Sequence, residues 1–191
     1  MFFYKFFQIL FYLPFRLLYP TKVYGRKNLV KGGAVLIANH QSYVDSPLLG
    51  FLISKPQHFL TKKEVYEKGF TKFVLKIAKA IPINREKPEL SSIKKCLQVL
   101  KEDKYLTIFP QGTRKENGKM ENLKGGVLMF SAKTDKPIIP MFIEKKPKMF
   151  RLNKLHIGAP IYPQQFSDLT AAEKEEKLEQ EVLKFYKSFE K

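Results

Sequence analysis

The sequence has little cysteine, little histidine and about half as many acidic as basic residues, and each shortage excludes a class of protein. Its one cysteine, Cys96, lies in an apolar helical pattern and is interpreted as a buried structural thiol, so neither a disulfide framework nor a cysteine metal site is available. The three histidines, His40, His58 and His156, lack close ligand spacing, so no metal site is predicted. We interpret His58 and His156 as structural residues within strands.

No internal repeat or low-complexity linker is visible in the 191 residues, which is the size of one ordinary domain, and 44% hydrophobic content is sufficient for a core. With 35 basic and 18 acidic residues, the net charge of +17 favours an anionic partner. Nucleic acid, an acidic protein, a phosphorylated small molecule and an anionic membrane all qualify. A non-catalytic basic module that binds nucleic acid or membrane phosphates is therefore one hypothesis, although no known nucleic-acid motif occurs.

The first 19 residues are rich in Phe, Leu and Tyr and are too polar to read as a membrane span. On a helix the polar positions form one narrow stripe: Lys5, Gln8, Tyr12 and Arg16. A span takes about 20 apolar residues, and Pro14 is expected to kink or split the helix. We therefore predict that residues 1–20 form an interfacial membrane-anchoring helix, with Lys5 and Arg16 facing water and lipid phosphate.

Two alternatives exist for this segment. It could be a helix that covers an exposed face of the core. A cleaved signal peptide is disfavoured, because no small-residue cleavage site follows before Pro20. Residues 21–191 are expected to form the second unit, a single globular domain.

Strand-like and helix-like patterns alternate through that domain. Strands are predicted at 33–38, 58–60, 81–85, 105–109, 138–143 and 152–158, and helices at 47–53, 66–78, 89–102 and 127–133. Thr170 and Glu173 have the form of a capping box that opens a last helix, with Leu178, Val182, Phe185 and Phe189 on one face. This alternation predicts an α/β domain with a largely parallel central sheet flanked by helices, in which ligands collect beyond the carboxyl ends of the strands.

The segment after the first of these strands contains His40 and, five residues later, Asp45. On one helix the two side chains would point roughly 140° apart, so they can meet only across a turn. We hypothesise that Asp45 accepts the Nδ1 proton of His40 and leaves Nε2 as a general base. The alternative is that Asp45 caps a helix whose first turn contains Pro47. Ser42 is not assigned to a triad, because three members are hard to align within so short a segment.

Further motifs follow in order between about Gly25 and Ile143. They are Ile83-Asn84-Arg85, Phe109-Pro110-Gln111-Gly112-Thr113-Arg114, Lys124 with Gly126, and Pro137-Ile138-Ile139-Pro140. Together with the His-x4-Asp pattern, this set resembles the glycerolipid acyltransferase family, and most closely the bacterial 1-acyl-glycerol-3-phosphate acyltransferases. Two positions depart from the family pattern: Gln111 replaces its usual Glu, and Lys79 replaces its usual Gly.

The resemblance implies transfer of a fatty acyl group from acyl carrier protein or acyl-CoA to the sn-2 hydroxyl of 1-acyl-glycerol 3-phosphate, which gives phosphatidate. An alcohol is a poor nucleophile at neutral pH, and His40 held by Asp45 would supply the base that it needs. The donor is a substrate, so no cofactor is implied. Related acyltransferases acting on another lysophospholipid or on glycerol 3-phosphate are the nearest alternatives.

The acceptor's phosphate requires fixed cations, and arginine can hold a phosphate through two hydrogen bonds. We favour Arg114, then Arg85, then Lys124. The amide at Gly112 could bind this phosphate or stabilise the tetrahedral oxyanion, and Gln111 and Thr113 complete the predicted substrate-binding set. The predicted location is the cytoplasmic face of the cell membrane, where anionic lipid, lysophosphatidate and an acidic carrier protein are the expected partners.

Overall fold

Residues Ala34–Ala38 form β2, the middle strand of a seven-stranded sheet, in a computed structural model that describes residues 2–67, 69–84, 88–112, 120, 123 and 126–190. The other strands are β1 (Thr21–Tyr24), β3 (Gln57–Lys62), β4 (Ile81–Ile83), β5 (Tyr105–Ile108), β6 (Ile138–Ile143) and β7 (Asn153–Ile157). Their spatial order is β1-β7-β6-β2-β5-β3-β4.

Five neighbouring strands run in the same direction. β2 pairs in parallel with both β5 and β6, and β3 pairs in parallel with both β5 and β4. β7 is antiparallel to β6 and parallel to β1, so these two strands run the other way. The prediction of an α/β domain with a largely parallel sheet is confirmed.

Helices cover both faces of this sheet. They are α1 (Phe2–Leu18), α2 (Asp45–Leu52), α3 (Lys63–Tyr66), α4 (Gly69–Ile77), α5 (Leu90–Lys101), α6 (Met129–Thr134) and α7 (Ala171–Lys187). Because successive strand residues point to opposite faces, Val35 and Ile37 pack into one core with α5, α6 and α7. Ala34 and Leu36 pack into the other core with α2. A strand buried on both faces explains the uninterrupted apolar run.

Several predicted boundaries were wrong. The helix expected at 66–78 is the shorter α4, which begins at Gly69, where φ is +31°, while Tyr66 belongs to the separate helix α3. α2 begins two residues earlier than expected, and the strand expected at 81–85 ends at Ile83. Pro14 does not split α1, which is continuous through it. Arg16 donates an Nη1 hydrogen bond to the carbonyl of Thr21 (2.8 Å), so its guanidinium also joins α1 to β1.

Three structural predictions are confirmed. Thr170 and Glu173 form a reciprocal capping box at the start of α7. Cys96 is fully buried, and burial raises the pKa of its thiol to about 12. Leu178 and Val182 of α7 are buried in the core as predicted, and Phe185 packs against it partly buried. Phe189, predicted on the same helix face, lies two residues beyond the end of α7, and Tyr186 is the fully buried aromatic residue instead. The Tyr186 hydroxyl lies 2.9 Å from the carbonyl oxygen of Ile37 and 2.8 Å from that of Met141, so it can donate to either.

Lys79 ends α4 in a conformation that normally requires glycine. Its φ is +53°, the amide of Lys79 bonds the carbonyl of Lys76, and the amide of Ala80 bonds the carbonyl of Leu75. This is the hydrogen-bond pattern of a Schellman C-cap, whose left-handed position is usually Gly. The turn is therefore formed even though lysine stands where the family usually has glycine.

Candidate active site

The segment from Asn39 to Val44 joins the carboxyl end of β2 to the first residue of α2 and brings His40 to Asp45. The distance between His40 Nδ1 and Asp45 Oδ2 is 2.8 Å. This contact suits the neutral tautomer that donates Nδ1–H to the carboxylate, and in that tautomer Nε2 can accept a proton. The side chain of His40 retains 18% of its exposure, whereas that of Asp45 has none.

One oxygen of Asp45 accepts three hydrogen bonds. Besides His40, the backbone amides of Gln41 (2.6 Å) and Ser42 (2.7 Å) donate to Oδ2. Among the described residues, none donates to the buried Oδ1. The N-cap residue of α2 is Val44, which makes no side-chain capping hydrogen bond. The carboxylate of Asp45 therefore stabilises the preceding turn and does not cap the helix. Its negative charge lies in the first turn of α2, where the helix dipole favours it.

Ser42 also takes part in this turn. Its amide bonds Asp45, and its hydroxyl accepts a hydrogen bond from the amide of Val44 (3.3 Å). Both groups thus stabilise the backbone conformation that aims Asp45 at His40.

Two amide side chains fasten this turn to the neighbouring strand β6. The Asn39 side chain donates to the carbonyl of Ile143 (2.9 Å) and accepts from the amide of Ile143 (2.8 Å). Gln41 Nε2 donates to the same carbonyl (2.7 Å). The residues on both sides of His40 are therefore held by the last residue of β6, and sequence reasoning missed this role. The sequence signal was two amide side chains flanking a candidate base directly after a buried strand.

The carboxyl end of β5, which lies beside β2, supplies the other wall of the site. The ring of Phe109 stacks on His40 with a centroid distance of 4.3 Å, and Gln111 Oε1 accepts a hydrogen bond from the His40 amide (3.1 Å). Gly112 has a φ of +75°, and its amide bonds the carbonyl of Phe109 (3.3 Å). This position favours glycine because its backbone is left-handed.

Four of the predicted substrate-binding residues belong to other segments of the chain. Arg85, Thr113, Arg114 and Lys124 lie outside the described residues. β4, the strand before Arg85, is three positions from β2 in the sheet, or about 14 Å at the usual strand spacing.

The other two histidines have separate surroundings. His58 bonds the carbonyl of Lys79 through Nδ1 (3.0 Å), and burial together with the Lys79 charge lowers its pKa. His156 Nε2 lies 3.1 Å from Glu144 Oε2, and its ring stacks on Tyr24. The same contact lowers the pKa of Glu144.

The described part of the chain contains neither a candidate metal cluster nor a candidate membrane span. Within these residues no group of three His, Cys, Asp or Glu side chains is arranged to hold a metal ion. None of the helices in this part is both long and apolar enough to traverse a bilayer.

Comparison with known proteins finds consistent similarities. Residues 20–144 match the family model described as Acyltransferase. The chain is 33% identical over 165 residues to a 1-acyl-sn-glycerol-3-phosphate acyltransferase of Bacillus subtilis, covering 81% of this chain and 80% of that one. A longer chloroplast enzyme of that name from Brassica napus is 26% identical over 127 residues, which are 64% of this chain and 37% of the relative. The crystal structure of the 1-acyl-sn-glycerophosphate acyltransferase PlsC from Thermotoga maritima superposes with a TM-score of 0.71 at 23% identity, covering 98% of this chain and 78% of that one.

Proposed function

The chain belongs to the acyltransferase family, and we propose that it transfers a fatty acyl group from acyl carrier protein or acyl-CoA to the sn-2 hydroxyl of 1-acyl-glycerol 3-phosphate. The product is phosphatidate, for phospholipid synthesis. The observation that carries this proposal is the 2.8 Å contact between His40 Nδ1 and buried Asp45 at the carboxyl edge of the sheet. Relatives that bear this enzyme name, such as that of Bacillus subtilis, support the choice of substrate.

In the proposed reaction, His40 Nε2 removes the proton of the sn-2 hydroxyl as its oxygen attacks the thioester carbonyl. A carbon–oxygen bond forms and a tetrahedral oxyanion results. The carbon–sulfur bond then breaks, and the departing thiolate takes the proton from the His40 imidazolium. Asp45 acts through His40, because it fixes the tautomer and stabilises the imidazolium while the proton is held. No covalent enzyme intermediate is required.

The phosphate of the acceptor is bound, in this proposal, by Arg114, Arg85 and Lys124, with Thr113 and the turn at Gly112 completing the set. The order of the motifs along the chain and the left-handed backbone at Gly112 support this assignment. A guanidinium can match two phosphate oxygens at once, which fixes the headgroup as well as attracting it.

The motif that contains Gln111 implies a contact with the substrate, but we propose a different role for this residue. Its Oε1 accepts the hydrogen bond of the His40 amide, and it is almost fully buried. An acceptor at this position needs no negative charge, because a neutral amide oxygen satisfies a backbone N–H. We therefore assign Gln111 to the positioning of His40, and this explains how glutamine can replace the family's usual glutamate.

We also propose that residues 1–20 anchor the protein in the interfacial region of the cytoplasmic leaflet and that residues 21–191 form the acyltransferase domain. Phe15 in α1 packs against Phe51 of α2 with a centroid distance of 4.8 Å, whereas Ile9, Leu13 and Leu17 at four-residue spacing are each more than 60% exposed. An exposed apolar helix face of this kind fits a lipid surface. The net charge of +17 suits anionic lipid and an acidic carrier protein.

The deciding experiment measures acyl transfer by the purified protein in detergent micelles, with acyl-CoA and acyl carrier protein thioesters as donors. The acceptors are 1-acyl-glycerol 3-phosphate, other lysophospholipids and glycerol 3-phosphate. His40→Ala is compared with the matched control His156→Gln, which alters another histidine that contacts a carboxylate. We expect phosphatidate from the unaltered protein and the control, and none from His40→Ala.

Each alternative predicts a different result. Product with another acceptor alone would keep the acyltransferase and replace the substrate. Substantial activity in His40→Ala would overturn the general-base role. Salt-sensitive RNA or DNA binding without any acyl transfer would favour the non-catalytic module.

A further inference from the structure

The β6–β7 loop, residues 144–152, displays apolar side chains among cations. Met149, Phe150 and Leu152 are 48%, 72% and 65% exposed, and Lys145, Lys148 and Arg151 are exposed around them. Isolated exposed apolar residues are ordinary, but three within four residues, interleaved with cations, form the combination that binds the interface of an anionic membrane.

Hydrogen bonds from one buried side chain fix the backbone of this loop. The side chain of buried Asn153 accepts from the amide of Lys148 (2.9 Å) and donates to the carbonyl of Arg151 (2.9 Å). Phe150 has a φ of +54°, a left-handed conformation that is a genuine outlier for a bulky residue. Its ring gains little burial within this chain to offset that cost. The loop therefore holds Phe150 outward through its backbone.

The loop also connects two features already described. It begins directly after Ile143, which is bonded to Asn39 and Gln41 on either side of the candidate base. The amide of Phe150 bonds the carbonyl of Leu18, the last residue of α1 (2.7 Å). The exposed apolar residues of the loop thus lie beside the end of the helix whose apolar face is exposed, on the edge of the sheet that carries His40.

We propose that the β6–β7 loop is a second membrane contact, which inserts Phe150, with Met149 and Leu152, into the headgroup region of an anionic phospholipid surface. Lys145, Lys148 and Arg151 pair with the lipid phosphates. Together with α1, the loop would orient the catalytic edge toward the lipid; this orienting role rests on the proposed function. An acidic protein would satisfy the cations but not the three apolar side chains, so the lipid surface is the better match.

The chain contains no tryptophan, so one introduced tryptophan reports its own surroundings. We expect the emission of Phe150→Trp to shift to shorter wavelength on vesicles of phosphatidylcholine and phosphatidylglycerol, and brominated lipid chains to quench it. The matched control is Leu90→Trp in α5, where Leu90 is 74% exposed and α5 covers the opposite face from α1 and α2. Unchanged Phe150→Trp emission while the protein sediments with these vesicles would overturn the proposal.

A second set of variants tests affinity. Phe150→Asn removes the ring but suits the left-handed backbone, and we expect vesicle binding about tenfold weaker. Replacing Lys145, Lys148 and Arg151 with Ala should weaken binding to anionic vesicles by roughly fivefold for each cation. The charge-matched control replaces Lys94, Lys95 and Lys101 of α5 and should bind nearly as the unaltered protein does.

Activity in micelles separates this proposal from the preceding one. If the unaltered protein transfers no acyl group, the proposed function fails, and the vesicle measurements still decide the role of the loop. If the variant with Lys145, Lys148 and Arg151 replaced by Ala binds vesicles normally but no longer accepts acyl carrier protein as a donor, the loop binds an acidic protein and the membrane proposal is wrong.

Discussion

Asp45→Asn removes a single charge from the most buried point of the candidate site. Because Oδ2 accepts the hydrogen bonds of His40, Gln41 and Ser42, an asparagine oxygen in that position can keep all three. The new NH₂ group would occupy the place of Oδ1, which is buried and has no partner among the described residues. An unsatisfied buried donor costs about 1–3 kcal/mol, so we expect a folded protein with lower stability.

The effect on turnover follows from the charge that the proposed reaction creates. His40 becomes an imidazolium beside Asp45, with Nδ1 and Oδ2 2.8 Å apart. If the charge centres are about 4 Å apart and the effective dielectric constant is about 20, the attraction is about 4 kcal/mol. Its loss in the transition state would lower kcat by about a thousandfold. This lies within the range of roughly 10²–10⁴ that general-base catalysis contributes.

The assay compares initial rates of thiol release at saturating acceptor for Asp45→Asn, His40→Ala and the double variant, with a urea unfolding curve for each. If Asp45 acts only through His40, the double variant is no slower than His40→Ala alone. A kcat for Asp45→Asn within a factor of a few of the unaltered protein would refute the electrostatic reasoning. Losses that multiply in the double variant would show that Asp45 acts independently of His40.

Three further predictions concern the stability of the protein and the accessibility of its cysteine to thiol reagents. Lys79→Gly relieves the cost of a left-handed backbone, about 1–2 kcal/mol, but increases the entropy of the unfolded chain by the equivalent of about 0.5–1 kcal/mol. We therefore expect urea unfolding to show a free energy of unfolding about 0.5–1 kcal/mol higher in Lys79→Gly, and no such increase in Lys79→Ala. The pKa of His58 is lowered in the folded state, so the unfolded state binds the proton preferentially and the free energy of unfolding falls as the pH drops below about 6.5. Urea unfolding curves from about pH 7.5 to 5.5 should show a smaller decrease of this free energy in His58→Gln than in the unaltered protein. Equal decreases in the two proteins would contradict this prediction. Burial raises the pKa of the Cys96 thiol to about 12, so a thiol reagent should label the protein only as fast as it opens, and rapid labelling in native buffer would disprove that burial.

The fold was predictable because its signal is local, whereas the connections within the site are not. Alternating strand and helix patterns need only the order of residues along the chain, and the buried run of β2 stands out directly. The bond from the His40 amide to Gln111 depends on β2 lying beside β5. The contacts of Asn39 with Ile143 likewise join residues 104 positions apart. Such contacts depend on the order of the strands in the sheet and on the direction of each side chain, and a short sequence motif specifies neither of these.

The two reversed strands explain why membrane contact and chemistry would share one edge. β1 and β7 run opposite to the other five strands, so they begin at the edge where β2, β5 and β6 end. The residues immediately before them therefore lie at the same edge of the sheet as His40: the end of α1 precedes β1, and the β6–β7 loop precedes β7. With β7 parallel to β6, a crossover would have carried the chain to the opposite edge before β7 began. In this fold, the same reversal that breaks the parallel sheet brings both exposed apolar segments to the sheet edge that carries His40, where the proposed reaction with a lipid acceptor would take place.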